Sequence, residues 1–188
     1  DFQVHSPRDR NWTGQKFGVN QEDLDSLSPE HKQQIIDDRI QFSKEYLEKI
    51  RNAGLNAVAI TDHHDVISVK LIRKVAEEEN QAFIASSQFE KVVKIFPGIE
   101  LSLSNPASQC IIIFDSDFSD ANLDSVLHFL GINPTNEFEK FTVETQRISQ
   151  DIIHDLVHLH KKLDELAYCK GKYVLLPNVG NGSQHSIL

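Results

Sequence analysis

The chain contains no methionine, one tryptophan and only two cysteines among its 188 residues. Two cysteines, Cys110 and Cys169, cannot build the disulfide framework of a small secreted scaffold, so a reducing compartment is expected. No apolar run approaches the ~20 residues of a membrane-spanning helix, and no signal-peptide pattern opens the chain. These absences point to the cytoplasm and to no membrane partner. Positive charge is also in deficit: 19 Lys and Arg face 28 Asp and Glu, a formal net charge of -9. That balance argues against a broad, non-specific nucleic-acid surface, while leaving room for a small basic patch beside an acidic pocket. Low-complexity segments and fixed-period repeats are missing as well. The lack of methionine, with Asp1 already inside a strand-like run, reads as a segment of a longer protein.

What is present suffices for a single domain spanning 1–188, because 39% of the residues are hydrophobic and can form a sizeable core. The opening DFQVH alternates like a short strand, and a polar loop runs from Ser6 to about Asn20. A long helix is expected from Pro29, with Ser28 as N-cap and Gly54 as terminator, burying Ile36, Ile40, Ser43, Leu47 and Ile50. Ala57 to Ile60 has the composition of a strand covered on both faces, and Thr61, Asp62, His63, His64 and Asp65 leave its C-terminal end. A second helix, about Val66 to Asn80, places Val69, Ile72, Val75 and Ala76 on one side, and its positive start would favour an anion there.

KVVKIFPGIELSLS, from Lys91 to Ser104, reads as a strand region broken at Pro97-Gly98. CIIIFD, from Cys110 to Asp115, is a further buried strand. ANLDSVLHFLG reads as a short helix, Thr142 to about Ala167 as a long one, and KYVLLP as the last strand before the loop NVGNGSQHS. Strands and helices alternate, which argues for an α/β fold with largely parallel strands and right-handed crossovers. Five or so strands are too few for a seven- or eight-stranded barrel. The sheet is therefore open, or a closing strand lies beyond Leu188.

Chemistry concentrates at strand ends, where ligands collect in strand-helix sheets. His5 ends the first strand, His63 and Asp62 the second, and Glu100 follows the Pro-Gly step. Imidazole with carboxylate suits zinc, manganese or iron, and two ions bridged by Glu100 could activate water for attack on phosphorus. Arg8 and Arg10 stand close enough to His5 to hold a substrate phosphate, and Trp12 could stack on an unpaired base; a solvated loop with one buried aromatic is the competing reading. HDLVH, from His154 to His158, has the spacing of a metalloprotease helix but Asp155 in place of its glutamate. With Ile152, Leu156, Leu159 and Leu163 as the core face, the histidines His154, His158 and His160 read as a solvated side.

DFQVHS at 1–6, ITDHHD at 60–65 and PGIELS at 97–102, in this order, resemble the polymerase and histidinol phosphatase (PHP) family. With SPRDRNW at 6–12, CIIIFD and LLPNVGNGSQHSIL, the chain looks most like the N-terminal PHP region of TrlF-type ATPases of the AAA or SMC-like kind. The resemblance spans nearly the whole chain. It implies a distorted (β/α) barrel, incomplete or open in this segment, and a metal-dependent phosphoesterase acting on a nucleic acid or nucleotide beside an attached ATPase. It also implies His5, His63 and Glu100 as ligands of divalent Zn, Mn or Fe, Asp9 as a further candidate, and Asp62 as an orienting group.

Three positions depart from the family pattern. Gln3 stands where the first motif carries a histidine, Cys110 where a histidine often opens the later strand, and Asn178 where a histidine follows the last. Cys110 could bind as a thiolate or be a small buried hydrophobe, and His185 could restore one ligand or be an exposed loop residue. Gln3 and Asn178 motivate a rival expectation, a catalytically degenerate domain serving as a structural or regulatory platform for the ATPase or a partner.

Overall fold

Residues 3–7, 27–104, 107–132 and 152–177 are described by the computed structural model. Strand β1, Ala57–Ile60, is covered as its composition requires, with Val58, Ala59 and Ile60 fully buried. It pairs in parallel with β2, Lys94–Ser104, from Ala57 opposite Lys94 to Ile60 opposite Pro97. Its other edge takes the N-terminal segment: the Val4 N–H donates to the Ala59 carbonyl at 3.3 Å and the Thr61 N–H to the Val4 carbonyl at 2.9 Å. Within DFQVH the described pairing is this one parallel bridge at Val4.

The expected break at Pro97-Gly98 does not occur, because β2 runs straight through it. The strand changes partner there instead. Up to Pro97 it pairs with β1, and from Gly98, opposite Ile113, it pairs antiparallel with β3, Ala107–Phe114. Proline has no N–H to give, and a changeover between neighbours is a place where a strand tolerates that loss. Gly98 answers a steric demand. A Cβ at this residue would stand 2.7 Å from Thr61 Cγ2, 2.9 Å from the Ile112 carbonyl oxygen and 3.2 Å from the Ile60 carbonyl oxygen.

β4, Tyr173–Pro177, pairs antiparallel with β3 and completes an open four-stranded sheet in the order β1-β2-β3-β4. The fold is mixed α/β, but the largely parallel sheet expected from the alternation is not found: of its strand pairs only β1 with β2 is parallel. Between β2 and β3 stand just Asn105 and Pro106, far short of the dozen or so residues that a parallel crossover needs. No closed barrel forms among the described residues.

Helix α1, Pro29–Asn52, begins and ends as its signals require. The Ser28 hydroxyl accepts the His31 N–H at 3.4 Å, and Gly54 takes the left-handed φ of 71° beyond the last turn. The buried stripe is Ile35, Arg39, Ser43, Tyr46, Leu47 and Ile50, turned by one residue from the expected line, so that Ile36 and Ile40 flank it half-buried. α2, Ile67–Ala85, extends past Asn80 and presents Val69, Ile72, Val75 and Ala76 as expected. It is tied to α3, Asp120–Phe129, by the ion pairs Arg73–Asp120 and Lys70–Asp124.

α4 is only ten residues long, Leu156–Glu165. The long helix expected from Thr142 falls partly outside the described residues, and from Ile152 to Asp155 the chain is not helical. Asp155 is the N-cap, its carboxylate accepting the His158 N–H at 2.8 Å, a role that starts a helix rather than continuing one. Among the described residues, helices α1 to α4 and one sheet face share the main core, which includes Leu47, Ile72, Leu101, Ile112, Leu123 and Leu159. Ala59, Ile111 and Ile113, with Phe96 against them, form a smaller cluster apart from it.

The crowding at Gly98 yields a direct test. Gly98→Ala is expected to lower unfolding free energy by about 1–3 kcal/mol, the usual cost of forcing a methyl group into a packed site. Chemical denaturation measures it; a loss under ~0.5 kcal/mol would show that Thr61 and Ile112 yield freely.

Candidate metal centre

Three neighbouring chain segments each deliver one metal-capable side chain. Beyond β1 the chain stays beside β2: the Glu100 N–H donates to the Asp62 carbonyl and the His64 N–H to the Glu100 carbonyl, both at 3.1 Å. This backbone bridge places His63 directly beside Glu100. On the opposite flank of β1, His5 follows Val4, the residue that bridges Ile60. The His5 and His63 rings stack with centroids 5.3 Å apart and planes 11° from parallel.

The Glu100 carboxylate faces both rings, one oxygen to each. His5 Nε2 is 3.4 Å from Oε2, and His63 Nε2 is 3.4 Å from Oε1. Ligand atoms from the three residues all lie within 4.8 Å of one another. At bonds of about 2.0–2.1 Å, neighbouring ligand atoms of a tetrahedral shell stand about 3.3–3.4 Å apart, so the imidazole–carboxylate spacings fit a divalent ion. Two nitrogens and a carboxylate suit zinc, manganese or iron better than calcium or magnesium. His63 and Glu100 are buried and His5 is half-buried, so the cluster opens on the His5 side.

Asp62 supports this cluster without joining it. Its carboxylate accepts the Ser6 N–H at 2.6 Å on Oδ1 and the Ser6 hydroxyl at 2.5 Å on Oδ2, while Oδ1 stands 4.0 Å from His5 Nδ1. The buried carboxylate thus anchors the residue after His5. From the other side, the Tyr46 hydroxyl donates to the His5 carbonyl at 3.3 Å. Burial, and then the charge of Asp62, push the Tyr46 pKa up, which keeps that hydroxyl protonated as a donor.

His64 and Asp65, the neighbours of His63, serve the backbone. His64 adopts φ 53°, and its Nε2 accepts the Ser102 N–H at 2.9 Å. Asp65 Oδ1 accepts the Ile67 N–H at 2.7 Å, so the chain's own carboxylate takes up the first turn of α2 where an external anion was expected.

Cys110 is not part of the cluster. It is fully buried in the main core, paired opposite Leu101, whereas Glu100 lies opposite Ile111 and points to the other face. Burial, and secondarily the charge of Glu100, push its thiol up to about 12. Its neighbour Gln109, unnoticed in the sequence, is the β3 residue at the site: Gln109 Nε2 is 2.8 Å from His63 Nε2. Strand alternation was the available signal, since a residue beside a buried apolar strand position faces the opposite side. Gln3, one of the departures from the family pattern, donates from Nε2 to Glu100 Oε2 at 3.2 Å. Arg8, Asp9, Arg10, Trp12, Asn178 and His185 lie outside the described residues.

The HDLVH histidines form no helical ligand face, because His154 precedes the N-cap of α4. The His154 N–H donates to His158 Nδ1 at 3.1 Å, and the two rings stack at 4.5 Å. His160 Nδ1 is 2.6 Å from the Tyr173 hydroxyl. Among the described residues, His5, His63 and Glu100 are the group of three arranged to hold an ion. No family model, curated protein or solved structure matches the chain.

Two measurements test this arrangement. Asp62→Ala strips two charge-assisted hydrogen bonds from Ser6 and should cost about 2–4 kcal/mol in denaturant unfolding; a change below ~0.5 kcal/mol would remove Asp62 as the anchor. Cys110 and Cys169 are both buried, with thiols pushed up to about 12 and about 11, so a thiol reagent at pH 8 should label neither in the native protein and both in denaturant. Fast native labelling of Cys110 would contradict its place in the core.

Proposed function

We propose that the chain is a metal-dependent phosphoesterase of the PHP type, acting on a nucleic acid or nucleotide. The observation that carries this reading is the convergence of His5, His63 and Glu100 at one end of adjacent parallel segments. The resemblance in DFQVHS, ITDHHD and PGIELS supports it. When bound, a divalent ion of Zn, Mn or Fe supplies Lewis acidity toward a phosphoryl oxygen and makes water nucleophilic at neutral pH, so no Ser or Cys nucleophile is required.

The chain's own groups then have distinct tasks. His63 and Glu100 would hold the ion from the buried side and His5 from the open side. Glu100, with an oxygen toward each imidazole, would supply the carboxylate ligand. Asp62 positions His5 through Ser6. Arg8 and Arg10, which follow that anchored residue, would hold the substrate phosphate by paired hydrogen bonds. No helix among the described residues is long and apolar enough to cross a membrane. The same reading places the domain in the cytoplasm, as part of a longer chain with an associated ATPase.

A second reading rests on the two amides. Gln3 and Gln109 engage Glu100 and His63 directly, and in a degenerate domain such contacts would stabilise a structural platform for the ATPase or a partner. Elemental analysis and hydrolysis of a generic phosphodiester with added Mn²⁺ separate the readings. His63→Ala and Glu100→Ala should each reduce hydrolysis by more than the 10–100-fold that outer partners of a metal typically cost. A metal-free protein, inactive with every divalent ion and indifferent to both substitutions, would establish the platform instead.

A further inference from the structure

The geometry points to Gln109 as an ion ligand that is held in reserve: its amide donates to His63 without an ion and turns its carbonyl oxygen to the ion when one binds. This rests on the reading that His5, His63 and Glu100 hold a divalent ion. Gln109 extends from β3 on the face it shares with Ser102, opposite it in the register. Its amide nitrogen is 2.8 Å from His63 Nε2, the nitrogen that also faces Glu100 Oε1 at 3.4 Å. With the amide N–H as donor, the His63 lone pair at Nε2 is the acceptor. An ion needs that same lone pair, so the amide must release it.

Releasing it requires the Gln109 side chain to turn its amide and swing aside. Rotation of the terminal amide by half a turn exchanges its nitrogen and oxygen with almost no change of shape. The carbonyl oxygen cannot stay on the lone-pair line 2.8 Å from His63 Nε2, because an ion bonded at about 2.1 Å fills it, and it moves to the side of that line. Neighbouring ligands of an octahedral shell with bonds of about 2.1 Å stand about 3.0 Å apart, so an oxygen swung off the lone-pair line at close to its present distance from Nε2 is at ligand spacing. Gln3 acts on the other flank, where its donation to Glu100 Oε2 steadies the carboxylate.

The resulting set comprises two imidazoles, one carboxylate and one neutral amide oxygen. A carbonyl oxygen favours manganese over zinc relative to the imidazole or thiolate that could stand there, and one carboxylate leaves a divalent ion only partly neutralised. The site should therefore prefer Mn²⁺ more than a three-histidine set would and exchange its ion readily.

The test is Mn²⁺ and Zn²⁺ titration of the metal-stripped full chain, by the electron paramagnetic resonance of free Mn²⁺ and by competition with a Zn²⁺ indicator. Gln109→Leu should weaken Mn²⁺ binding at least ~10-fold, within the span typical of groups that support a metal. Gln109→Glu, of nearly the same shape, should strengthen it by a similar factor, and Gln109→His should move the preference toward Zn²⁺. Thermal unfolding of each metal-free variant confirms that it is folded. If Gln109→Leu and Gln109→Glu both stay within twofold of the unsubstituted chain while His63→Ala abolishes binding, Gln109 is only a hydrogen-bond partner and the inference fails alone. If the unsubstituted chain binds neither ion, the inference and the reading beneath it fail together.

Discussion

The close passage of three strands at Gly98 governs the rest of this molecule. With no Cβ at that residue, Thr61 and the Ile112 carbonyl can both approach β2, which lets one strand leave β1 and take up β3 without interruption. Two residues later along the same strand, Glu100 stands beside His63 because the backbones of Asp62 and His64 still bond to it. A side chain at Gly98 would push apart the segments that carry the ligands. Steric fit in the sheet and the geometry of the cluster are therefore one constraint, and both depend on a glycine in a PG dipeptide.

Two buried carboxylates meet the penalty of desolvation in different ways. Asp62 accepts two donors from Ser6, one on each oxygen, so its charge goes to holding a neighbouring segment. Glu100 is instead surrounded by the imidazoles of His5 and His63 and the amide of Gln3. A carboxylate held by a backbone N–H and a hydroxyl donor is a structural element, whereas one facing two imidazole nitrogens can exchange its partners for a cation. The same contrast separates His63 from His64: adjacent in sequence, one points to the cluster and the other accepts a backbone N–H from Ser102.

Local signals were legible wherever a single residue determines its own surroundings. Ser28, Pro29 and Gly54 bounded α1, and the apolar run at Ala57 to Ile60 marked β1. Partner-dependent features were not. Pro97-Gly98 reads as a break when the strand is considered alone, because the loss of a donor and of a side chain weakens any isolated strand. Only the presence of β1 on one side and β3 on the other turns the same dipeptide into a changeover. In the same way, HDLVH has helical spacing, yet Asp155 caps α4 and leaves His154 outside it.

Of the cluster, residue identities alone determined that His5, His63 and Glu100 are metal-capable and that His5 and His63 follow apolar strand-like runs, whereas Glu100, expected at a strand end, lies within β2. Their meeting was decided by tertiary structure, since parallel alignment of the N-terminal segment, β1 and β2 depends on backbone bonds between residues tens of positions apart. Tertiary structure also chose between neighbours on β3. Cys110 carries the more reactive chemistry, but strand alternation and the β2–β3 register send it into the core and bring Gln109 to His63. A sequence states which groups are available. The pairing register, fixed by the whole sheet, determines which of two adjacent side chains reaches a site, because each shift of one residue reverses the face.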